Sequence, residues 1–211
     1  MEAERPSGRG RPRRAETDER IRDAALDLLR ASGPGAVNID AVSARSGVAR
    51  TTIYRRYGSR DELMAALLDQ LVDVGVPAPS LPVPEKLHWL LSSIHDVLEH
   101  GIGRGGTAAV LADSDPEFTD ALRTRMAEQL RLLGQAMADD VDEGRLSPRV
   151  DPDTLVGLLF GAYLDELLRY GDPRPGWADR TVELLAPAVT GAPPVTGEAG
   201  STKKRRGTKP A

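Results

Sequence analysis

Apolar residues along the 211-residue chain recur at steps of three and four, and no strong run of alternating β-branched residues interrupts them. That period places them on one face of α-helices and argues against strands. Ile21, Ala25, Leu28 and Leu29 share the face of a first helix over about 16–31, which Ser32-Gly33-Pro34-Gly35 stops. Asn38 is a good N-cap for a short helix over 39–46. Gly47 allows a tight turn, and another short helix follows from 49 or 50 to 57. Gly58-Ser59 breaks and re-caps the chain. Ser59 with Glu62 forms a capping box, and Leu63, Leu67, Leu71 and Val74 stripe a fourth helix. Four prolines between Val76 and Pro84 mark a loop and a candidate boundary.

Beyond that loop, helices are expected over 85–100, 107–112, 115–143, 151–170 and 177–189, with a glycine-rich joint (Gly101, Gly103, Gly105, Gly106) before the second of them. The longest carries Phe118, Leu122, Met126, Leu130, Leu133, Met137 and Val141 on one stripe. The expectation is an all-α chain of about nine helices. Residues 1–14 and 191–211 lack an apolar face and are rich in Arg, Lys, Gly and Pro, so both are expected to be disordered basic tails.

Charge adds to this picture. The net charge is −4, but residues 1–60 hold thirteen Lys/Arg against eight Asp/Glu, and residues 61–190 hold ten against twenty-three. A basic head on an acidic body suggests that a polyanion meets the head. The chain has no cysteine, which excludes disulfides, thiolate zinc sites and a cysteine nucleophile. No apolar run approaches the roughly 20 residues of a membrane span, and no apolar stretch follows the basic N-terminus. A cytoplasmic protein without membrane partners is expected.

The segment from Asn38 to Leu63, NIDAVSARSGVARTTIYRRYGSRDEL, meets the needs of a helix-turn-helix. Ser43 and Ala44 are small at the helix crossing, Gly47 suits the turn, and Val42, Val48 and Ile53 form an apolar seam. With Ile53 inward, Tyr57 falls beside it, while Thr51, Tyr54, Arg55 and Gly58 point away, flanked by Arg50 and Arg56. Guanidinium groups suit guanine edges and phosphates, and hydroxyls suit phosphate oxygens. Arg60 stands in the first turn of the next helix, where its charge opposes the helix dipole unless an anion sits there.

This stretch resembles the DNA-binding domain of the TetR family of bacterial transcriptional regulators. The resemblance is carried by Ala24-Ala25, Leu28, Gly35-Ala36-Val37, Gly47-Val48, Thr52-Ile53-Tyr54, Tyr57 and Ser59-Arg60-Asp61-Glu62-Leu63. Ser43 departs from the usual Ala. The resemblance implies a phosphate contact at Thr52, base and backbone contacts at Tyr54, Arg55 and Arg56, and a phosphate contact at Arg60. The candidate DNA-binding set is therefore Asn38, Arg50, Thr51, Thr52, Tyr54, Arg55, Arg56 and Arg60. It also implies a helix-turn-helix domain over 15–60. A helical effector-binding and dimerisation body over 61–190 completes the architecture, and a homodimer would read a near-palindromic operator. Gly157 and Gly161 allow close helix approach, and with Phe160 and Leu164 they form the candidate dimer surface, the competing reading being an ordinary core helix. The effector is an unidentified small molecule, and its binding residues cannot be named from spacing.

Two further features bear on function. Arg9-Gly10-Arg11-Pro12 resembles the core of an AT-hook, so Arg9 and Arg11 are candidates for the minor groove, against a solvated tail. His88, His95 and His100 fall in one expected helix near Glu85, Asp96 and Glu99. On an α-helix His95 lies near the face of His88 while His100 is turned away, so no metal site or other cofactor is expected. Core or pocket-lining histidines are the preferred reading, with His88, Trp89 and His95 as possible cavity walls. A helical enzyme or metal-binding protein using the His88/His95 region is the alternative. No phosphate loop or serine elbow supports an enzyme.

Overall fold

Short polar side chains set where the helices begin. Asn38, Ser59, Asp115 and Asp151 each accept a hydrogen bond from the backbone N–H three residues on, satisfying donors that a helix leaves open. Pro116 and Pro152 follow two of these caps, where a missing N–H costs nothing. The computed structural model describes residues 11–191. Among the described residues there are nine α-helices and no strand: α1 (Arg11–Ser32), α2 (Ile39–Ser46), α3 (Arg50–Tyr57), α4 (Arg60–Val72), α5 (Val83–His95), α6 (Gly103–Ala112), α7 (Pro116–Asp142), α8 (Pro152–Tyr170) and α9 (Trp177–Thr190). A 3-10 turn, Pro34–Ala36, joins α1 to α2, and a π-turn, Asp96–Gly101, continues α5.

Three boundaries differ from expectation by more than two residues. First, α1 begins at Arg11, so residues 11–14 are helical rather than part of a disordered arm. Pro12 falls in the first turn, where proline is tolerated. Second, the expected helix over 85–100 stops being α-helical at His95. Third, three of the four joint glycines, Gly103, Gly105 and Gly106, form the start of α6, while Gly101 closes the π-turn. The glycines are there for proximity: a Cβ on Gly105 would lie 2.5 Å from Gly33 N and 2.6 Å from Leu29 O. Only a bare backbone lets α6 seat against the end of α1. The same seat is bolted by Arg30, whose Nε donates to Gly101 O at 3.2 Å and whose Nη2 donates to His100 O.

Two apolar clusters form the core. One joins α1 through α4 with Leu98, Ile102, Phe118, Leu122 and Tyr163 from the body. The other lies among α5, α7, α8 and α9. Leu63, Leu67 and Leu68 of α4 are buried in the first, each contributing about 1.5–3 kcal/mol by leaving water. A border drawn between residues 60 and 61 therefore does not divide the packing, because α4 serves head and body together. In the second cluster Lys86 Nζ donates to both Asp140 carboxylate oxygens, at 2.7 and 2.8 Å. Arg145 Nε donates to the same carboxylate at 2.7 Å. Asp140 is 2% exposed, so this charge is sustained by its partners.

Candidate nucleic-acid interface

The crossing of α2 and α3 is built from small parts. Gly47 takes the left-handed conformation at φ 68° that ends α2. Val42, Val48 and Ile53 are buried beneath the turn. Ser43 is not merely small: its hydroxyl donates to Val48 O at 2.7 Å, and Ser46 Oγ accepts from Val48 N at 3.1 Å. The turn is thus held by two side-chain hydrogen bonds as well as by burial.

With Ile53 inward, Thr51, Tyr54 and Arg55 are exposed on the opposite side of α3, and Tyr54 keeps 53% of its surface. Arg55 has no hydrogen-bond or ion-pair partner among the described residues. The other candidate arginines differ. Arg50 Nε lies 2.9 Å from Asp40 Oδ1, an exposed pair that stays near the α3 N-terminus. Arg56 folds back onto α1, donating to Arg14 O at 3.1 Å and pairing with Asp18. Arg60 is turned inward: Nε donates to Val37 O at 3.0 Å, and Nη2 donates to Pro34 O at 2.9 Å and to Asp115 Oδ2 at 2.7 Å. The base and backbone contacts expected of Arg56 and the phosphate contact expected of Arg60 would require these side chains to leave partners within the chain. Each satisfies carbonyl and carboxylate oxygens of its own chain, which sequence spacing could not reveal. Burial alone would raise the Asp115 carboxyl. The N–H of Phe118 and the Arg60 guanidinium outweigh that and hold it below the usual carboxylate range.

Asn38 uses its side-chain oxygen as the α2 cap, 2.9 Å from Ala41 N, yet stays exposed. Thr52 is half-buried. Arg9 lies outside the described residues, and so does the side chain of Arg11; the expected minor-groove arm falls there, as does the tail over 192–211.

The chain matches the family profile of bacterial regulatory proteins of the tetR family over residues 21–67. It matches the tetracyclin repressor-like C-terminal domain over 82–185. The chain belongs to the TetR family. It is a helix-turn-helix DNA-binding transcriptional regulator of that family. It is 28% identical to the HTH-type transcriptional regulator YdeS of Bacillus subtilis over 178 residues, covering 79% of this chain and 85% of the relative. Among solved structures it resembles a TetR-family transcriptional regulator from Rhodococcus, at TM-score 0.65 and 19% identity, covering 83% of this chain and 99% of that one. It also resembles the transcriptional regulator FadR of Bacillus subtilis, crystallised with stearoyl-CoA, at TM-score 0.56 and 17% identity, covering 81% and 98%.

In this TetR-family chain the body holds an apolar cavity of about 80 Å³ between the end of α4 and helices α5, α7 and α8. Its walls include Val72, Trp89, Leu98, Met126 and Phe160, with Ser93 and Gln129 as the polar members. Trp89 is thus a wall residue as expected, but His88 and His95 are not. His88 Nε2 lies 3.5 Å from Asp179 Oδ1 at the surface. The candidate dimer residues also divide. Gly157 and Gly161 are exposed, with no atom within 4 Å of a Cβ added to either. Phe160 and Leu164 instead pack inward, onto the core shared with the head. Leu158 and Leu168 of α8 and Leu184 of α9 are exposed apolar side chains, at 56%, 81% and 76%.

Regular α-helical spacing would put His95 and His100 on different faces. Their rings meet edge to face, with centroids 5.4 Å apart. The π-turn is the cause: Ile102 N bonds to Val97 O, five residues back, which widens the helix and brings positions five apart onto one side. No helix among the described residues is long and apolar enough to cross a membrane.

Proposed function

We propose that the protein acts as a homodimeric repressor that reads a near-palindromic DNA site and is released by an apolar small molecule. The observation that carries the reading is the outer face of α3. There Thr51, Tyr54 and Arg55 stand exposed, and Arg55 has no partner among the described residues while the neighbouring arginines are bound within the chain. In a dimer two such helices enter successive major grooves about 34–36 Å apart. Leu158, Leu168 and Leu184, with the bare Gly157 and Gly161, supply an apolar, closely approachable face for a second copy.

The wall chemistry of the body cavity supports an apolar effector. At about 80 Å³ it is smaller than the roughly 300–1,000 Å³ of a typical ligand site. A ligand must therefore spread its walls. Val72 and Leu98 belong both to those walls and to the core shared with the DNA-binding helices. Spreading them shifts the head, and operator affinity falls as far as the ligand prefers the spread form.

The test is selection of bound DNA from a random pool, with wild type and Arg55→Ala side by side. A near-palindromic consensus for wild type is expected. The variant should lose about 1–3 kcal/mol of discrimination at one base pair per half-site, the worth of one bidentate contact. Absence of any enrichment at low salt refutes the reading.

A further inference from the structure

The π-turn brings two of the chain's histidines together. On an α-helix His95 and His100 would stand about 140° apart; here the ligand atoms of His95, Asp96 and His100 all lie within 4.8 Å of one another. His95 Nδ1 is 3.6 Å from Asp96 Oδ1. Bonds of about 2.0–2.2 Å to a tetrahedral zinc ion place ligand atoms roughly 3.3 Å apart. The wider separations therefore have to close by up to about 1.5 Å. Asp96 and His100 are exposed and can turn about their side-chain bonds to do so. His95 is the fixed member. Its ring packs on the edge of Tyr163, at 5.7 Å, and the Tyr163 hydroxyl donates to Glu99 Oε2 at 3.1 Å.

The donor set selects the ion. Two imidazole nitrogens and one carboxylate suit a borderline first-row divalent ion, whereas magnesium and calcium take mostly oxygen ligands. Solvent completes the fourth position. The place in the fold gives the site a consequence. The carbonyls of His100 and Gly101 are the two acceptors that hold Arg30, and Arg30 belongs to α1 of the DNA-binding head. An ion bonded to the His100 imidazole restrains the same residue whose carbonyl accepts from Arg30.

The geometry points to His95, Asp96 and His100 as a binding site for a zinc-class divalent ion, whose occupancy alters DNA affinity through the grip of the π-turn on Arg30. The second half of that statement rests on the DNA-binding reading above; the first does not.

The test uses the full chain, freed of metal with a chelator and titrated calorimetrically with zinc chloride. One ion per chain is expected, with no matching response to magnesium chloride. His100→Gln and Asp96→Asn, both at exposed positions, should each weaken zinc binding about tenfold or more, since each removes one of three ligands. His88→Gln, outside the cluster, should leave it unchanged. Equal zinc binding by wild type and both cluster variants, or no binding by wild type, overturns the site. Unchanged melting curves of the exposed variants keep the comparison independent of folding. Fluorescence anisotropy on the selected DNA then reads the coupling. A change in Kd with zinc for wild type and none for the two variants supports it. Zinc binding without a change in Kd overturns the coupling and leaves the site standing. No DNA binding with or without zinc overturns the reading of the head and is distinguished from failure of the site by the calorimetry.

Discussion

Gly105→Ala isolates the contact between DNA-binding head and body. The added methyl would sit 2.5 Å from Gly33 N and 2.6 Å from Leu29 O. Those two atoms are themselves hydrogen-bonded to each other at 2.9 Å, closing the end of α1. No flexible side chain stands there to swing aside, so backbone must move. Overpacking of this kind costs about 1–3 kcal/mol. For a chain of this length each kcal/mol lowers Tm by roughly 2–4 °C, so the expected loss is roughly 2–12 °C at fixed protein concentration. Gly134→Ala in α7 is the control. The nearest atom to its added Cβ is Pro152 Cβ at 3.9 Å, and replacing a helical Gly by Ala there stabilises by about 0.5–1 kcal/mol. The two variants should therefore shift Tm in opposite directions, read by circular dichroism and by denaturant melts with unchanged m. If Gly105→Ala melts within about 0.5 kcal/mol of wild type, the tight seat between α1 and α6 is not what those distances describe.

Three further outcomes follow from the charges and the bare faces. Asp140→Ala leaves Lys86 buried without its carboxylate and should cost about 3–5 kcal/mol in a urea melt; Lys86→Met combined with Asp140→Leu should recover most of it, and an unaffected single variant would refute the account. Glu166 is held at about 2, against an ordinary 4.5, chiefly by hydrogen bonds from the Arg174 side chain. Its ionised form is favoured in the fold, so its contribution is complete above pH 4.5 and lost as pH falls toward 2; Glu166→Gln should flatten the fall of Tm across that window. Leu168→Glu with Leu184→Glu places charge on two of the most exposed apolar side chains. Sedimentation should show a monomer that still melts cooperatively, whereas a persistent dimer would move the interface elsewhere.

What could be read in the sequence, and what could not, divides along a physical line. Caps and periods act locally, so Asn38, Ser59, Asp115 and Asp151 announce their helices before any contact is known. The inward and outward faces of α3 follow in the same way from Ile53 alone. Partners distant in sequence do not announce themselves. Arg60 reads as an outward cation next to a helix start, yet three of its acceptors lie 23, 26 and 55 residues away. Nothing in the spacing tells a guanidinium bound for phosphate from one bound for its own chain.

The glycines of α6 show a subtler limit. A run of them reads as a flexible joint, because glycine weakens an isolated helix. Gly105 is helical because the seat against Leu29 and Gly33 excludes a Cβ, and tertiary packing outweighs the local propensity. The π-turn belongs to the same class. One inserted residue in the helical ladder changes which side chains share a face, and so turns a histidine spacing of five from a reason against a common site into the geometry that makes one.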